Sequence, residues 1–124
     1  MRFGAGDRLG AVMDLKLRLE FDNGLVMGPG KAELLEAIAR EGSISAAGRA
    51  MGMSYKRAWG LVEEMNAGLS EPVVISLRGG AKGGGAAVTE AGAKLLTRFR
   101  ALEALVWHDA AGDLRAIFDM SKRK

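Results

Sequence analysis

The stretch from Ile44 to Leu61 constrains this chain more than any other part of it. Ser43-Ile44-Ser45 brings capping hydroxyls to a short run that ends near Met51, about seven residues long. Gly52 breaks that run. Ser54 then caps a second one, in which Ala58, Leu61, Val62, Met65 and Leu69 recur at helical spacing. Two helices joined so closely need a small residue where they touch, a glycine in the turn and apolar residues around both. With Ile44 as the first position, Ala47 and Gly48 fall at the contact and Gly52 in the turn, while Met51, Met53, Ala58 and Leu61 face inward. Every constrained position holds a suitable residue, and the stretch reads as a helix-turn-helix.

The residues left facing outward at the start of the second helix are Ser54, Tyr55, Lys56 and Arg57. That is the end a recognition helix inserts into the major groove of DNA. Arg57 or Lys56 suits guanine N7 and O6, and Ser54 and Tyr55 suit a phosphate or a base edge. Ser43 and Ser45, beside the N–H groups of their own helix start, suit a phosphate. The competing reading makes Lys56 and Arg57 an ordinary solvated face and lets Tyr55 pack. Trp59 is expected to pack beneath the second helix or against the ribbon that follows. Gly60 stands out, because a mid-helix glycine costs about 1 kcal/mol against alanine. A tight approach to another helix or to DNA would account for it.

The flanks supply the rest of the architecture. Leu15–Phe21 alternates apolar and charged residues like a half-buried strand, Asp22-Asn23-Gly24 is a hairpin turn signal, and Leu25–Met27 returns. A helix follows over Lys31–Glu41, with Leu34, Leu35, Ile38 and Ala39 on one face and Gly42 at its end. After the helix-turn-helix, Val73–Leu77 and Ala86–Val88 read as strands joined by the tip Gly79-Gly80-Ala81-Lys82-Gly83-Gly84-Gly85. Thr89 caps a long helix carrying Leu95, Leu96, Phe99, Leu102 and Val106, and Gly112 is expected to divide it from a last helix with Leu114, Ile117 and Phe118. The fold class is thus α+β and mostly helical: a winged helix-turn-helix with an N-terminal β-hairpin and long C-terminal helices. Residues 1–14 read as a flexible leader and 15–124 as a single domain. In a wing, Arg78 and Lys82 reach the DNA backbone or the minor groove, and the glycines let the tip come close.

Composition narrows the function classes. The chain has 124 residues, 18 Lys and Arg against 15 Asp and Glu, and a net charge of +3, so the placement of charge matters more than its sum. Without cysteine there is no disulfide, thiolate metal site or cysteine nucleophile, and the lone His108 builds no multi-histidine site. The tip is not a phosphate-binding loop, since Lys82 is followed by Gly83 rather than Ser or Thr. Adjacent Glu63 and Glu64 point apart and make a solvated face rather than an acid/base pair. No apolar run approaches the roughly 20 residues of a membrane span. The expectation is a cytoplasmic protein without catalytic site, cofactor or metal, its partner being double-stranded DNA.

Three strings carry a family resemblance: Gly42-Ser43-Ile44-Ser45-Ala46-Ala47, Met51-Gly52-Met53-Ser54-Tyr55-Lys56-Arg57-Ala58-Trp59 and Glu64-Met65-Asn66. With the glycine-rich wing, Val88-Thr89 and Gly92, they resemble the N-terminal DNA-binding domain of the ModE family of molybdate-responsive regulators. The resemblance spans roughly residues 15–107. The helix-turn-helix core by itself also looks like LysR-type regulators. The resemblance implies a homodimer formed through the 15–27 hairpin and the 89–120 helices, bound to a roughly palindromic operator near molybdenum-related genes. Full-length members of that family carry C-terminal molybdate-binding domains, for which 124 residues leave no room. No molybdate is therefore expected on this chain. The alternative reading is a winged-helix adaptor that binds another regulator rather than DNA.

Overall fold

The computed structural model describes residues 13–77 and 84–122. It opens with a minimal antiparallel hairpin, β1 (Leu19–Glu20) and β2 (Val26–Met27), paired Leu19 to Met27 and Glu20 to Val26. The strand is shorter than the alternation from Leu15 implies, because the returning chain runs straight into a helix at Pro29 and offers Leu15–Arg18 no partner. The turn is held by Asn23, whose Oδ1 accepts from the Leu25 N–H at 3.0 Å and whose Nδ2 donates to the Gly68 carbonyl at 2.9 Å.

Helix α1 (Pro29–Glu41) starts two residues earlier than its apolar spacing implies. Proline at the first helical position has a preset φ and no N–H to leave unpaired; Pro29 occupies that position here. Ala32, Leu34, Leu35, Ala37 and Ile38 are buried, whereas Ala39 turns out to be exposed. Gly42 closes the helix in a left-handed conformation, its N–H donating to the Ile38 carbonyl at 2.9 Å. Helices α2 (Ile44–Ala50) and α3 (Tyr55–Gly68) follow, then the ribbon of β3 (Val74–Leu77) and β4 (Gly85–Val88), antiparallel with Val74 opposite Val88 and Leu77 opposite Gly85. Helices α4 (Glu90–Asp109) and α5 (Ala111–Asp119) complete the chain. The break between them falls at Ala110 and not at Gly112, which lies inside α5. Ala110 sits at φ −108° and ψ 20°, a conformation open to any residue, so the break needs no glycine.

Helix α1 is the centre of the molecule and packs against α2, β4 and α4. Met27, Leu34, Leu35, Ile38, Met65, Val73 and Phe99 are fully enclosed in the core. Burying a side chain of this size stabilises by about 1.5–3 kcal/mol, and this shared core fixes the helix-turn-helix relative to the ribbon. A second fastening crosses from α1 to α4. The Arg100 guanidinium donates from Nε and Nη2 to the Glu36 carboxylate at 3.2 and 2.8 Å, and from Nη1 to Glu103 at 2.9 Å. The hydrogen bonds to Glu36 raise the Arg100 pKa above the ordinary guanidinium value, against the opposing effect of burial.

Candidate nucleic-acid interface

The contact between α2 and α3 follows from the small residues that the spacing placed there. Ala47, Gly48 and Ala58 are buried, and a Cβ on Gly48 would stand 3.2 Å from the Ala58 Cβ and 3.3 Å from the Met53 carbonyl oxygen. A side chain here would press the two helices apart by a few tenths of an ångström. Gly52 turns the chain at φ 71°, and the Met53 N–H returns to the Gly48 carbonyl at 2.9 Å. Met51, Met53 and Leu61 pack partly buried against the core. Ser43 caps α2 by accepting from the Ala46 N–H at 3.0 Å, and Ser54 caps α3 by accepting from the Arg57 N–H at 3.1 Å. Each hydroxyl thus serves as an acceptor inside the chain and keeps its own proton for an outside acceptor such as phosphate oxygen.

Helix α3 buries Ala58, Val62 and Met65. Its first turn presents Tyr55, Lys56 and Arg57, all exposed, with Tyr55 at 56%. Lys31, Arg40 and Arg100 are neutralised by Glu64, Glu41 and the Glu36–Glu103 pair, but among the described residues neither Lys56 nor Arg57 meets a carboxylate. Ser45 is the second residue of α2 and accepts from Arg49 Nη1 at 3.4 Å.

The ribbon is fastened beside this face by three connections. Asn66 Nδ2 donates to the Val74 carbonyl at 3.0 Å, and Asn66 Oδ1 accepts from the Val73 N–H at 2.8 Å. The Ala86 N–H donates to the Gly42 carbonyl at 2.9 Å, which ties β4 to the entrance of α2. Between the ribbon and the two helices runs a groove of about 360 Å³, with Ser43, Ser45, Tyr55, Trp59, Ser76 and Leu77 in its walls. Hydroxyls, aromatic rings and the start of a helix therefore converge on one side of the molecule.

The helix-turn-helix description for the lysR family of bacterial regulatory proteins matches residues 30–93, just over half of the chain. The chain belongs to the lysR family of bacterial regulatory helix-turn-helix proteins. Among individual relatives, it is 52% identical over 81 residues to the molybdenum-pterin-binding protein MopB of Rhodobacter capsulatus, covering 65% of this chain and 30% of that protein. It is 40% identical over 88 residues to the molybdenum transport protein ModE of Azotobacter vinelandii, covering 71% and 33% of the two chains. The DNA-binding transcriptional dual regulator ModE of Escherichia coli K12 is 40% identical over 84 residues, covering 67% and 32%. The matched segment is thus about a third of the length of each of these relatives.

The structure brings Ser43, Ser45 and Tyr55 into the walls of one groove, and leaves Ser54, Lys56 and Arg57 exposed at the start of α3. Arg78 and Lys82 lie outside the described residues, as does most of the expected leader. Trp59 stands on the ribbon side, the second of the two places expected for it, 43% exposed in the groove wall beside Ser76 and Leu77. The signal was present in the sequence, since Trp59 follows Tyr55 by four residues and so shares its side of the helix. Ser76 and Leu77 were read only as strand residues. Among the described residues no cluster of His, Asp and Glu has the makings of a metal site, and no helix is long and apolar enough to cross a membrane.

Proposed function

We propose that the chain is the DNA-reading part of a homodimeric regulator of molybdenum-related genes. Helix α3 enters the major groove with Lys56 and Arg57 at base edges or phosphates and Tyr55 at the groove wall. Ser43, Ser45 and Ser54 hold the flanking phosphates and thereby set the angle of entry. The wing cations Arg78 and Lys82 reach the adjacent backbone or minor groove. The observation that carries the reading is the outward face of α3, whose two cations lack acidic partners among the described residues and sit at the capped end of a helix-turn-helix. The gene class rests on the names of the relatives, two molybdenum proteins and a transcriptional regulator.

The dimer is supported by the C-terminal helices. Helix α5 buries none of its residues, and Leu102 and Leu105 on α4, Ile117 on α5 and Met120 just after it are exposed large apolar side chains. Leu19 and Phe21 add to the exposed apolar surface at the hairpin. A second copy related by a two-fold axis would cover these groups and set two recognition helices about 34–36 Å apart, one turn of DNA. Paired Leu105→Glu and Ile117→Glu substitutions should shift sedimentation from dimer to monomer. Binding should favour a palindromic duplex over random sequence by about a thousandfold or more. Equal affinity for both duplexes would refute sequence reading, and association with a partner regulator in place of DNA would establish the adaptor alternative.

A further inference from the structure

We infer that Gly60 is the place where a strand of DNA comes into contact with the backbone of α3. The inference rests on the DNA-binding reading and adds a point of close approach to it. Glycine inside a helix is unfavourable unless something requires the missing side chain. Elsewhere in this fold the requirement is visible. A Cβ on Gly48 would press on Ala58 and Met53, one on Gly68 would stand 2.8 Å from the Leu25 Cβ, and one on Gly92 would meet Val73 and Val88. Gly30 and Gly112 have open space but lie in the first turns of their helices, where glycine costs little. Gly60 is the sixth of fourteen residues in α3, and none of the described residues lies within 4 Å of where its Cβ would be. Among the described residues no neighbour accounts for it, which points to a group from outside.

Position identifies that group. Gly60 is one turn beyond Lys56 on the same side of α3, opposite the buried Ala58, Val62 and Met65. The cation side chain and the bare stretch of backbone therefore face the same partner. One turn further on stand Glu63, which is exposed, and Glu64, whose carboxylate meets Lys31 Nζ at 3.1 Å. Carboxylates repel phosphate, so a DNA strand following α3 from its capped end must depart between Gly60 and Glu63. A second copy of the chain is the other candidate, but the exposed apolar residues assigned to it lie on the C-terminal helices and the hairpin, and the exposed aromatics of α3, Tyr55 and Trp59, line the groove beside the ribbon. The glycine thus sets the depth to which α3 enters the groove.

The test uses Gly60→Ala and Gly60→Leu in the full chain, titrated by fluorescence anisotropy against a labelled random-sequence duplex in about 50 mM salt. Gly60→Ala should raise the melting temperature by about 3–4 °C, because alanine is the better helix former. It should at the same time weaken duplex binding about tenfold, and Gly60→Leu should weaken it further. Sedimentation should show the same assembly for all three proteins. Wild-type affinity in both variants would overturn the inference, as would a lowered melting temperature in Gly60→Ala, which would place the requirement inside the chain. Loss of the dimer would assign the space to a second copy. A wild-type chain that binds no duplex would instead defeat the DNA-binding reading itself.

Discussion

Replacing Arg100 by Met should be the most damaging change of a single charged side chain in the described part of the molecule. Arg100 bridges α1 and α4, and its two partners differ sharply in environment. The Glu103 side chain is 1% exposed, that of Glu36 42% and that of Arg100 19%. Removing one member of a buried ion pair costs about 3–5 kcal/mol, because the other charge stays out of water and loses that countercharge. Since Arg100 itself touches solvent, the lower end applies, about 3 kcal/mol. For a domain of this size each kcal/mol lowers the melting temperature by about 4 °C, so Arg100→Met should melt about 12 °C lower. Glu36→Gln keeps a hydrogen-bonding group at a half-exposed site and should cost at most about 1 kcal/mol. The double variant Arg100→Met/Glu103→Leu removes both charges from the buried site and should recover most of the loss. Circular-dichroism melts of wild type, Arg100→Met, Glu103→Leu and the double variant form the cycle, with Glu36→Gln as a control. A fall of less than about 4 °C for Arg100→Met, or a double variant no more stable than that single one, would refute this account of how α4 is held to α1.

Two further outcomes test how the ribbon is positioned. Gly92→Ala puts a methyl group against the Val73 carbonyl and the Val88 side chain, both fixed parts of the ribbon, and should cost at least about 2 kcal/mol in urea unfolding. Asn66→Ala leaves the Val73 N–H and the Val74 carbonyl without their side-chain partner and should cost about 1–3 kcal/mol, with duplex affinity falling as the ribbon loses its fastening to α3.

Much of this arrangement is written locally in the chain, which is why it could be read there. Ser43, Ser54 and Thr89 each cap the helix that follows through a hydrogen bond spanning three residues, so short-range chemistry determined those starts. The contact of Gly48 with Ala58 and the turn at Gly52 follow from spacing alone, and with them the helix-turn-helix. Features that depend on distant residues were not legible. The strand at Leu15–Arg18 fails to form because its would-be partner becomes helix at Pro29, and Ala39 is exposed although it continues an apolar pattern. The Ala86–Gly42 hydrogen bond, which ties the ribbon to the entrance of α2, joins residues 44 apart in the chain. The Arg100 bridge joins residues 64 apart in the chain, and no local pattern marks such a pair. Within the interface, the residue types of α3 were readable, while the groove that α3 shares with Ser76 and Leu77 emerged only in three dimensions.

The claim that the outward face of α3 grips DNA is tested most directly by the salt dependence of duplex affinity in wild type, Lys56→Ala and Arg57→Ala. Each phosphate neutralised releases counterions, so wild-type affinity should fall about a thousandfold between 50 and 200 mM salt if the dimer makes about six such contacts. A substitution that removes one phosphate contact per protomer should reduce the slope of log affinity against log salt by about two in the dimer. A variant that loses a base contact should instead keep its slope and lose discrimination between duplexes. Affinity that ignores salt in the wild type, or both substitutions leaving affinity, slope and discrimination unchanged, would contradict the account.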